Sequence, residues 1–276
     1  MADNQPKFNR DSIANTLIVA IGVCLVCATL VSSAAVFLKG LQEANMLRDK
    51  KKNILLAAGL MEKNTDINAV FEKRIIDQII DLDTGEVVTS DYPSPGEYDP
   101  ILLAESNDDE ESEPLDEDPA TIKRREHRAH VYVVKTSDTD PTPLLYVFPV
   151  RGKGLWSILK GFIALDTDLN TIEGITFYEH KETPGLGGEV DNPVWKEHWV
   201  GKELFNPQGQ VAIRLVKANW ESSPYTVDAL SGATITSRGV ERMLDFWMGD
   251  TGFGPYLTRL RDEKPATGDV AVAGGN

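Results

Sequence analysis

The longest uninterrupted apolar stretch of the chain lies near its N-terminus. Residues 16–38 carry no charged side chain, and at about 1.5 Å per residue they can cross a hydrocarbon core of roughly 30 Å. The pattern predicts a transmembrane helix at 16–38, after a cytoplasmic N-terminus at 1–15 and before a helical stalk at 39–64. A signal peptide cleaved after Ser33-Ala34-Ala35 is the alternative, although signal cores span only about 7–15 residues.

Beyond residue 64, apolar positions alternate over short runs that are separated by turn residues. Helices are predicted at 65–79, where Thr65-Asp66 can cap an apolar series, at 195–200, and over the apolar series from Val240 to Trp247. Short spacers between strands favour antiparallel neighbours. The predicted fold class is α+β: one N-terminal transmembrane helix, then a soluble mixed or antiparallel sheet with flanking helices. The runs with strand length and β-forming composition are 130–134, 144–150, 157–165, 172–178 and 211–216.

The net charge of the chain and an acidic run at 105–118 add to this prediction. The 276 residues carry a formal net charge of −15, which argues against a nucleic-acid partner because such a partner needs a basic face. Nine of the residues between 105 and 118 are acidic and none is basic, so we expect a solvated surface loop, able at most to dock a basic partner. The soluble domain is therefore predicted at 65–260, with an acidic insertion at 91–120 and a flexible tail at 261–276.

The distribution of cysteine and histidine excludes several kinds of chemistry. Cys24 and Cys27 both fall within the predicted span, so the soluble domain has no disulfide, cysteine nucleophile or cysteine-ligated cluster. The four histidines lack the helical i, i+4 spacing of a metal site. Gly-x-Ser-x-Gly and Gly-Lys-Ser/Thr motifs are absent, which argues against a serine hydrolase and a phosphate-loop enzyme. We expect no metal and no catalytic side chain.

Small and hydroxyl residues precede the last predicted helix. In Ser231-Gly232-Ala233-Thr234, small side chains let backbone N–H groups approach an anion, and a helix N-terminus favours phosphate. Thr236 or Ser237 is the expected N-cap. An ordinary capped helix would show the same residue types.

A glycine-rich loop at 179–190 lies between two predicted strands. Its glycines permit close backbone approach to a planar ligand, and Leu186 can lie on a ring. Glu182 and Thr183 can form hydrogen bonds with such a ligand. A long exposed turn is the alternative.

Asp228 followed by Ser231-Gly232-Ala233-Thr234 resembles the motif in which a flavin transferase esterifies the last threonine with FMN. With the glycine-rich loop, it is similar to the FMN-binding domain family shared by NqrC, of the Na+-translocating NADH:quinone oxidoreductase, and RnfG, of the Rnf electron-transport complex. Residues 151–166 and 188–195 are similar to NqrC, and the resemblance extends from the span through Tyr256. The chain departs from the motif at Ala229, where the family usually has glycine.

The resemblance implies covalent FMN, held by a phosphoester to Thr234, with Asp228 helping the transferase recognise the segment. It implies that Trp156, Leu186 and Thr183 surround the ring. Lys217 either stabilises reduced anionic flavin or is an ordinary cation at the end of a strand. The full set of expected cofactor-binding residues is Thr234, Ser231, Gly232, Ala233, Thr236, Asp228, Glu182, Thr183, Leu186, Gly187, Trp156 and Lys217.

By the same resemblance, the chain relays electrons between NADH and ubiquinone in a complex that exports Na+. Its implied partners are NqrB, NqrD and NqrE as neighbours, NqrA and NqrF within the complex, the flavin transferase and the membrane. The family places the domain on the periplasmic face of the bacterial inner membrane, whereas Lys39, Arg48 and the lysines at 50–52 after the span favour the cytoplasm. The alternatives are an RnfG-type protein and a noncatalytic envelope domain that binds a ligand.

Overall fold

The computed structural model describes residues 12–88, 98–217 and 223–263, which form two units that divide between Arg48 and Asp49. Helix α1 (Ile13–Ala57) begins in the first unit and ends in the second. In the described ranges it is the one helix long and apolar enough to cross a membrane, and its apolar window is exposed. The predicted span and the predicted stalk helix are thus parts of one continuous helix.

Three predicted regions extend beyond the described residues: the N-terminus as far as residue 11, the first part of the insertion at 91–97, and the tail from 264. The second unit contains these helices: α2 (Ile67–Arg74), α3 (Pro100–Glu105), α4 (Pro193–Glu197), α5 (Thr234–Trp247) and α6 (Gly254–Glu263), with a 3-10 turn at Gly187–Asp191. Its strands are β1 (Ile75–Asp81), β2 (Ser112–Pro114), β3 (Arg124–Glu126), β4 (Arg128–Lys135), β5 (Pro143–Lys153), β6 (Ile158–Asp166), β7 (Ile172–Glu179), β8 (Arg214–Val216) and β9 (Thr226–Asp228).

The central sheet has the order β1-β4-β5-β6-β7, and all four of its strand pairs are antiparallel. Its middle strands are buried on both faces, which explains why their sequences are almost continuously apolar. Two short ribbons accompany the sheet, antiparallel β2-β3 and parallel β8-β9. The predicted α+β class is confirmed.

Each face of the sheet has its own core. On one face Phe148 and Ile163 belong to a cluster that includes Trp247 of α5. On the other face, the end of α1 contributes Ile54 and Leu55 to a second cluster. Burying such a side chain stabilises the fold by about 1.5–3 kcal/mol, so residues 54–58 of the predicted stalk are part of the folded domain.

The helix predicted at 65–79 is wrong in its second half. Helix α2 begins after Asp66, whose Oδ1 accepts hydrogen bonds from the N–H groups of Asn68 and Ala69 at 3.1 and 3.2 Å, as predicted for a cap. It ends at Arg74, and strand β1 begins at Ile75. Apolar residues at 75 and 79 fit either element, because a spacing of four returns to the same face of both a helix and a strand.

The acidic run at 105–118 differs from the solvated loop that its composition predicts. It contains the end of α3 and all of β2. Arg124 lies 2.6 Å from Asp109, and Arg125 lies 2.6 Å from Glu113. These cations follow the run in sequence and return beside it through the β2-β3 ribbon, so its negative charge is partly neutralised.

Candidate functional site

The loop before α5 is fixed by a serine within the helix. The Leu230 N–H donates to the Ser237 hydroxyl at 3.0 Å, and that hydroxyl donates to the Ala233 carbonyl at 3.1 Å. Gly232 has a φ of +71°, which a glycine adopts without strain. The prediction that Thr236 or Ser237 caps the helix is wrong, because α5 already begins at Thr234.

The N-terminus of α5 presents donors and one exposed hydroxyl. Its N-cap residue, Ala233, supplies no side-chain hydrogen bond, and the first N–H groups of any helix lack partners within the helix. Thr234 is the first residue of α5, and its side chain is exposed. A phosphate attached to Thr234 would therefore lie where the helix dipole favours negative charge.

Glu182, predicted as a ligand contact, is buried and bound by the protein. Its carboxylate accepts hydrogen bonds from the N–H groups of Leu155, Trp156 and Ser157 at 3.2, 2.9 and 3.3 Å, and from the Thr236 hydroxyl at 2.6 Å. Burial acts to raise the pKa of Glu182, but the hydrogen bonds from Thr236 and these N–H groups outweigh it, and the pKa lies below its ordinary value. The Glu182 carboxylate therefore joins the turn at 155–157 to the first turn of α5.

Gly187 is buried beside this carboxylate. A Cβ at position 187 would lie 2.6 Å from the Thr236 Oγ1 and 2.7 Å from the Glu182 Oε2. The glycine is needed here because the loop and α5 approach each other closely. Thr236, Glu182 and Gly187, all expected to contact a ligand, thus contact one another inside the domain.

Four exposed apolar residues adjoin this cluster, because two of them donate their backbone N–H groups to Glu182 and the other two immediately precede Gly187 and Thr236. We call them the apolar patch: Leu155, Trp156, Leu186 and Ile235. Trp156 is 64 % exposed, Leu186 45 % and Ile235 58 %. The indole N–H of Trp156 donates to the Thr183 hydroxyl at 3.2 Å. Ile235 was not among the residues predicted for the site, although it immediately follows Thr234 and lies outside the buried face of α5. Exposed apolar groups gathered beside an exposed hydroxyl suit an amphipathic ligand.

Asp228 and Lys217 lie at the ends of the paired strands β9 and β8. Asp228 is opposite Val216, and Lys217 follows as an exposed residue. The Trp195 indole N–H donates to the Asp228 carbonyl at 2.7 Å, which fixes the strand end from which the loop at 229–233 leaves. The Asp228 carboxylate lies 3.9 Å from the His198 Nδ1.

Thr234 and the apolar patch are exposed at the candidate site. Two clefts of about 410 and 310 Å³ lie elsewhere, one beside Tyr146 and Arg259 and the other beside Phe205 and Asp245, and their linings share no residue with the apolar patch or the loop at 231–234. Within the described ranges, no three side chains of His, Cys, Asp or Glu gather as a metal site would require.

The model of the FMN-binding domain family matches residues 154–249, which include the apolar patch, the Glu182 cluster and α5. The class of protein is therefore one that carries an FMN-binding domain. Uncapped N–H groups, a small-residue loop and exposed apolar groups beside Thr234 fit the phosphate and the ring of that cofactor.

The chain belongs to the NqrC family, a subunit of the Na(+)-translocating NADH-quinone reductases. It is 46 % identical to that subunit of Pseudomonas aeruginosa over 260 residues, which is 92 % of this chain and 98 % of the relative. It is 41 % identical to that of Yersinia pestis over 266 residues, 95 % and 98 % of the two chains. The resemblance to NqrC is confirmed.

Two solved structures agree with this assignment. The crystal structure of Shewanella oneidensis NqrC has a TM-score of 0.73 and 36 % identity, and covers 79 % of this chain and 99 % of that one. The crystal structure of the same subunit from Parabacteroides distasonis has a TM-score of 0.62 and 28 % identity, with 80 % and 97 % of the two chains covered.

Proposed function

We propose that this chain is the FMN-carrying subunit of a Na+-translocating NADH:quinone reductase and that its FMN is esterified through the phosphate to Thr234. In this role it relays electrons on the way from NADH to ubiquinone, in a complex that exports Na+. The observation that carries the proposal is the exposed Thr234 hydroxyl at the first position of α5, where no side chain caps the helix. The relatives named as a subunit of the Na(+)-translocating NADH-quinone reductase support the assembly in which it acts.

The backbone around Thr234 would hold the phosphate. N–H groups of the first turn of α5 would donate to it, and the helix dipole would contribute about 0.3–1 kcal/mol. Gly232 and Ala233 add little side-chain bulk before Thr234, and the exposed residue Ser231 lies in the same loop. Asp228 is the last residue of β9, and its role is to help the transferase recognise the segment that follows.

The apolar patch would hold the flavin ring. Trp156 and Leu186 present exposed apolar surface, and transfer of that surface out of water yields about 25 cal/mol per Å². The Thr183 oxygen already accepts from the Trp156 indole, so its own O–H remains able to donate to a ring oxygen. FMN supplies the electron-transfer chemistry, and the protein supplies attachment, orientation and electrostatics. Lys217, an exposed cation after the end of β8, would stabilise reduced anionic flavin.

The test of covalent attachment is Thr234→Val, with Ser231→Ala as the matched control in the same loop. Both side chains are exposed, so neither change should alter stability by more than about 0.5 kcal/mol. With the flavin transferase coexpressed, we expect flavin on the Ser231 variant and none on the Thr234 variant, measured by mass spectrometry of the 229–238 peptide and by fluorescence of the denatured protein. Denaturation-resistant flavin on the Thr234 variant would refute the attachment site.

The proposal includes placement of the domain on the periplasmic face of the inner membrane, with NqrB, NqrD and NqrE as neighbours and with NqrA and NqrF in the same complex. The open position of Thr234 supports access by a transferase and by electron-transfer partners. A reporter that is active only outside the cytoplasm should be fused after Glu263, because α6 buries Tyr256 and Leu257 in the core. We expect this fusion to be active, and activity of a cytoplasm-only reporter at the same position would contradict the orientation.

A further inference from the structure

Glu182 is only 5 % exposed, and a buried carboxylate is stable only when its charge is satisfied. Three successive N–H groups, from residues 155–157, converge on it as an anion-binding nest, and the Thr236 hydroxyl completes the set. Two glycines enclose it, since a Cβ at Gly154 would lie 2.7 Å from its Oε1 and a Cβ at Gly187 2.7 Å from its Oε2. The slot therefore fits this carboxylate and leaves no space between it and the protein for a ligand.

The groups that bind Glu182 belong to the two sides of the proposed flavin site. Trp156 supplies the largest exposed ring of the apolar patch, and its backbone N–H donates to Glu182 at 2.9 Å. Thr236 lies two residues after Thr234 in the first turn of α5 and donates to the same carboxylate at 2.6 Å. One side chain thus connects the surface against which the ring lies with the helix turn to which the phosphate is attached.

We propose that Glu182 is a positioning residue that contacts no flavin and fixes the apolar patch relative to the attachment threonine. This inference rests on the proposed function. It assigns the Glu-Thr-Pro-Gly-Leu-Gly-Gly loop two parts: Leu186 is exposed toward the ring, whereas Glu182 and Gly187 hold the loop against α5. It also holds a fixed negative charge between the Trp156 N–H and the Thr236 hydroxyl, where it would oppose the gain of further negative charge by a flavin bound at this site.

The experiment compares Glu182→Gln, Thr236→Val and Thr236→Ser in the full chain coexpressed with the transferase. Glu182→Gln removes the charge and replaces one of the two acceptor oxygens by an NH2 donor, so the charged hydrogen bonds are lost. Thr236→Val removes the hydroxyl hydrogen bond alone, and Thr236→Ser retains both the charge and that hydrogen bond. Three quantities are measured. Mass spectrometry detects covalent flavin at Thr234, quenching of the flavin fluorescence by the Trp156 indole reports docking of the tethered ring, and a redox titration gives the flavin midpoint potential.

All variants should retain the ester. We expect the docking equilibrium constant to fall about tenfold in Glu182→Gln and Thr236→Val, the effect of one charged hydrogen bond, and to be unchanged in Thr236→Ser. The midpoint potential should become more positive in Glu182→Gln than in Thr236→Val, because only the former loses the negative charge. A merely structural contact would lower the unfolding temperature without producing this difference.

Wild-type docking and potential in both Glu182→Gln and Thr236→Val would overturn the inference. Loss of the ester from both while Thr236→Ser carries flavin would also overturn it, because Glu182 would then act in attachment. Absence of flavin from wild-type Thr234 would instead refute the proposed function.

Discussion

Substitution of Gly187 by alanine tests the close approach between the glycine-rich loop and α5. The new Cβ would lie 2.6 Å from the Thr236 Oγ1 and 2.7 Å from the Glu182 Oε2, whereas carbon and oxygen normally approach to about 3.3 Å. To restore that separation, the Thr236 Oγ1 would have to move by about 0.7 Å and the Glu182 Oε2 by about 0.6 Å. These two oxygens are joined by a 2.6 Å hydrogen bond, so neither can move without weakening it.

Two opposing effects decide the sign of the change in stability. Alanine restricts the unfolded chain and on that account stabilises by about 0.4–1 kcal/mol, while overpacking a filled site typically costs about 1–3 kcal/mol. We expect a net destabilisation of about 1–2 kcal/mol, which lowers the unfolding temperature by roughly 2–8 °C for a domain of this size.

The assay is thermal unfolding of the full chain in detergent, followed by tryptophan fluorescence. Lys181→Ala is the control, because Lys181 is an exposed residue of the same loop and should change stability by less than about 0.5 kcal/mol. An unfolding temperature of the Gly187 variant equal to or above that of wild type would refute the reasoning, since it would mean that the loop relaxes freely.

Three further predictions concern other parts of the domain. Leu186→Asp should release the ring and leave the ester formed, seen as a changed flavin spectrum and midpoint potential, whereas Leu102→Asp, at an exposed position of α3, should leave both unchanged. Arg151→Met strands the buried Glu126 carboxylate that Arg151 contacts at 2.6 Å, and should cost about 3–5 kcal/mol in urea unfolding; replacing Glu126 by leucine as well should recover most of this loss. Folding lowers the pKa of Glu182 despite its burial, so the stability that its charge contributes is complete above the pKa of the unfolded chain and is lost as pH falls through the folded pKa. In an acid titration, the free energy of unfolding of Glu182→Gln should therefore fall less steeply than that of wild type.

The long strands of the sheet could be predicted from the sequence because each buries a continuous apolar run. Strand β1 could not, since Ile75 and Ile79 satisfy the helical and the extended spacing alike, and the choice between them depends on pairing with β4, which lies far along the chain. The prediction of a solvated loop for the acidic run was wrong for a related reason, because composition does not reveal that Arg124 and Arg125 pair with its carboxylates. In both cases the deciding contacts are distant in sequence.

The candidate site also contains some residues that local sequence signals identify and others whose contacts only the fold reveals. Thr234, Trp156 and Leu186 were predicted at the site and are exposed there together, because small residues before a helix and an apolar residue in a glycine loop are local signals. Glu182 and Thr236 carry the same polar chemistry as true ligand contacts, and only the fold shows that they bind each other. Their roles toward a flavin remain predictions.

The contact between the end of α1 and β7 has a consequence for the order in which the domain is completed. The Thr176 hydroxyl donates to the Asn53 carbonyl across 123 residues at 3.1 Å, and Gly174 lies so close to the Ala57 carbonyl that no side chain would fit between them. Such distant pairing slows folding, because a long loop must close before the contact contributes. During synthesis, the apolar side chains of Ile54 and Leu55 appear first, and the cluster that buries them is incomplete until Phe162 and Ala164 of β6 have emerged. A chain that stalls before β6 therefore leaves both side chains exposed, and β7 then fixes the end of α1 through its contacts with Asn53 and Ala57.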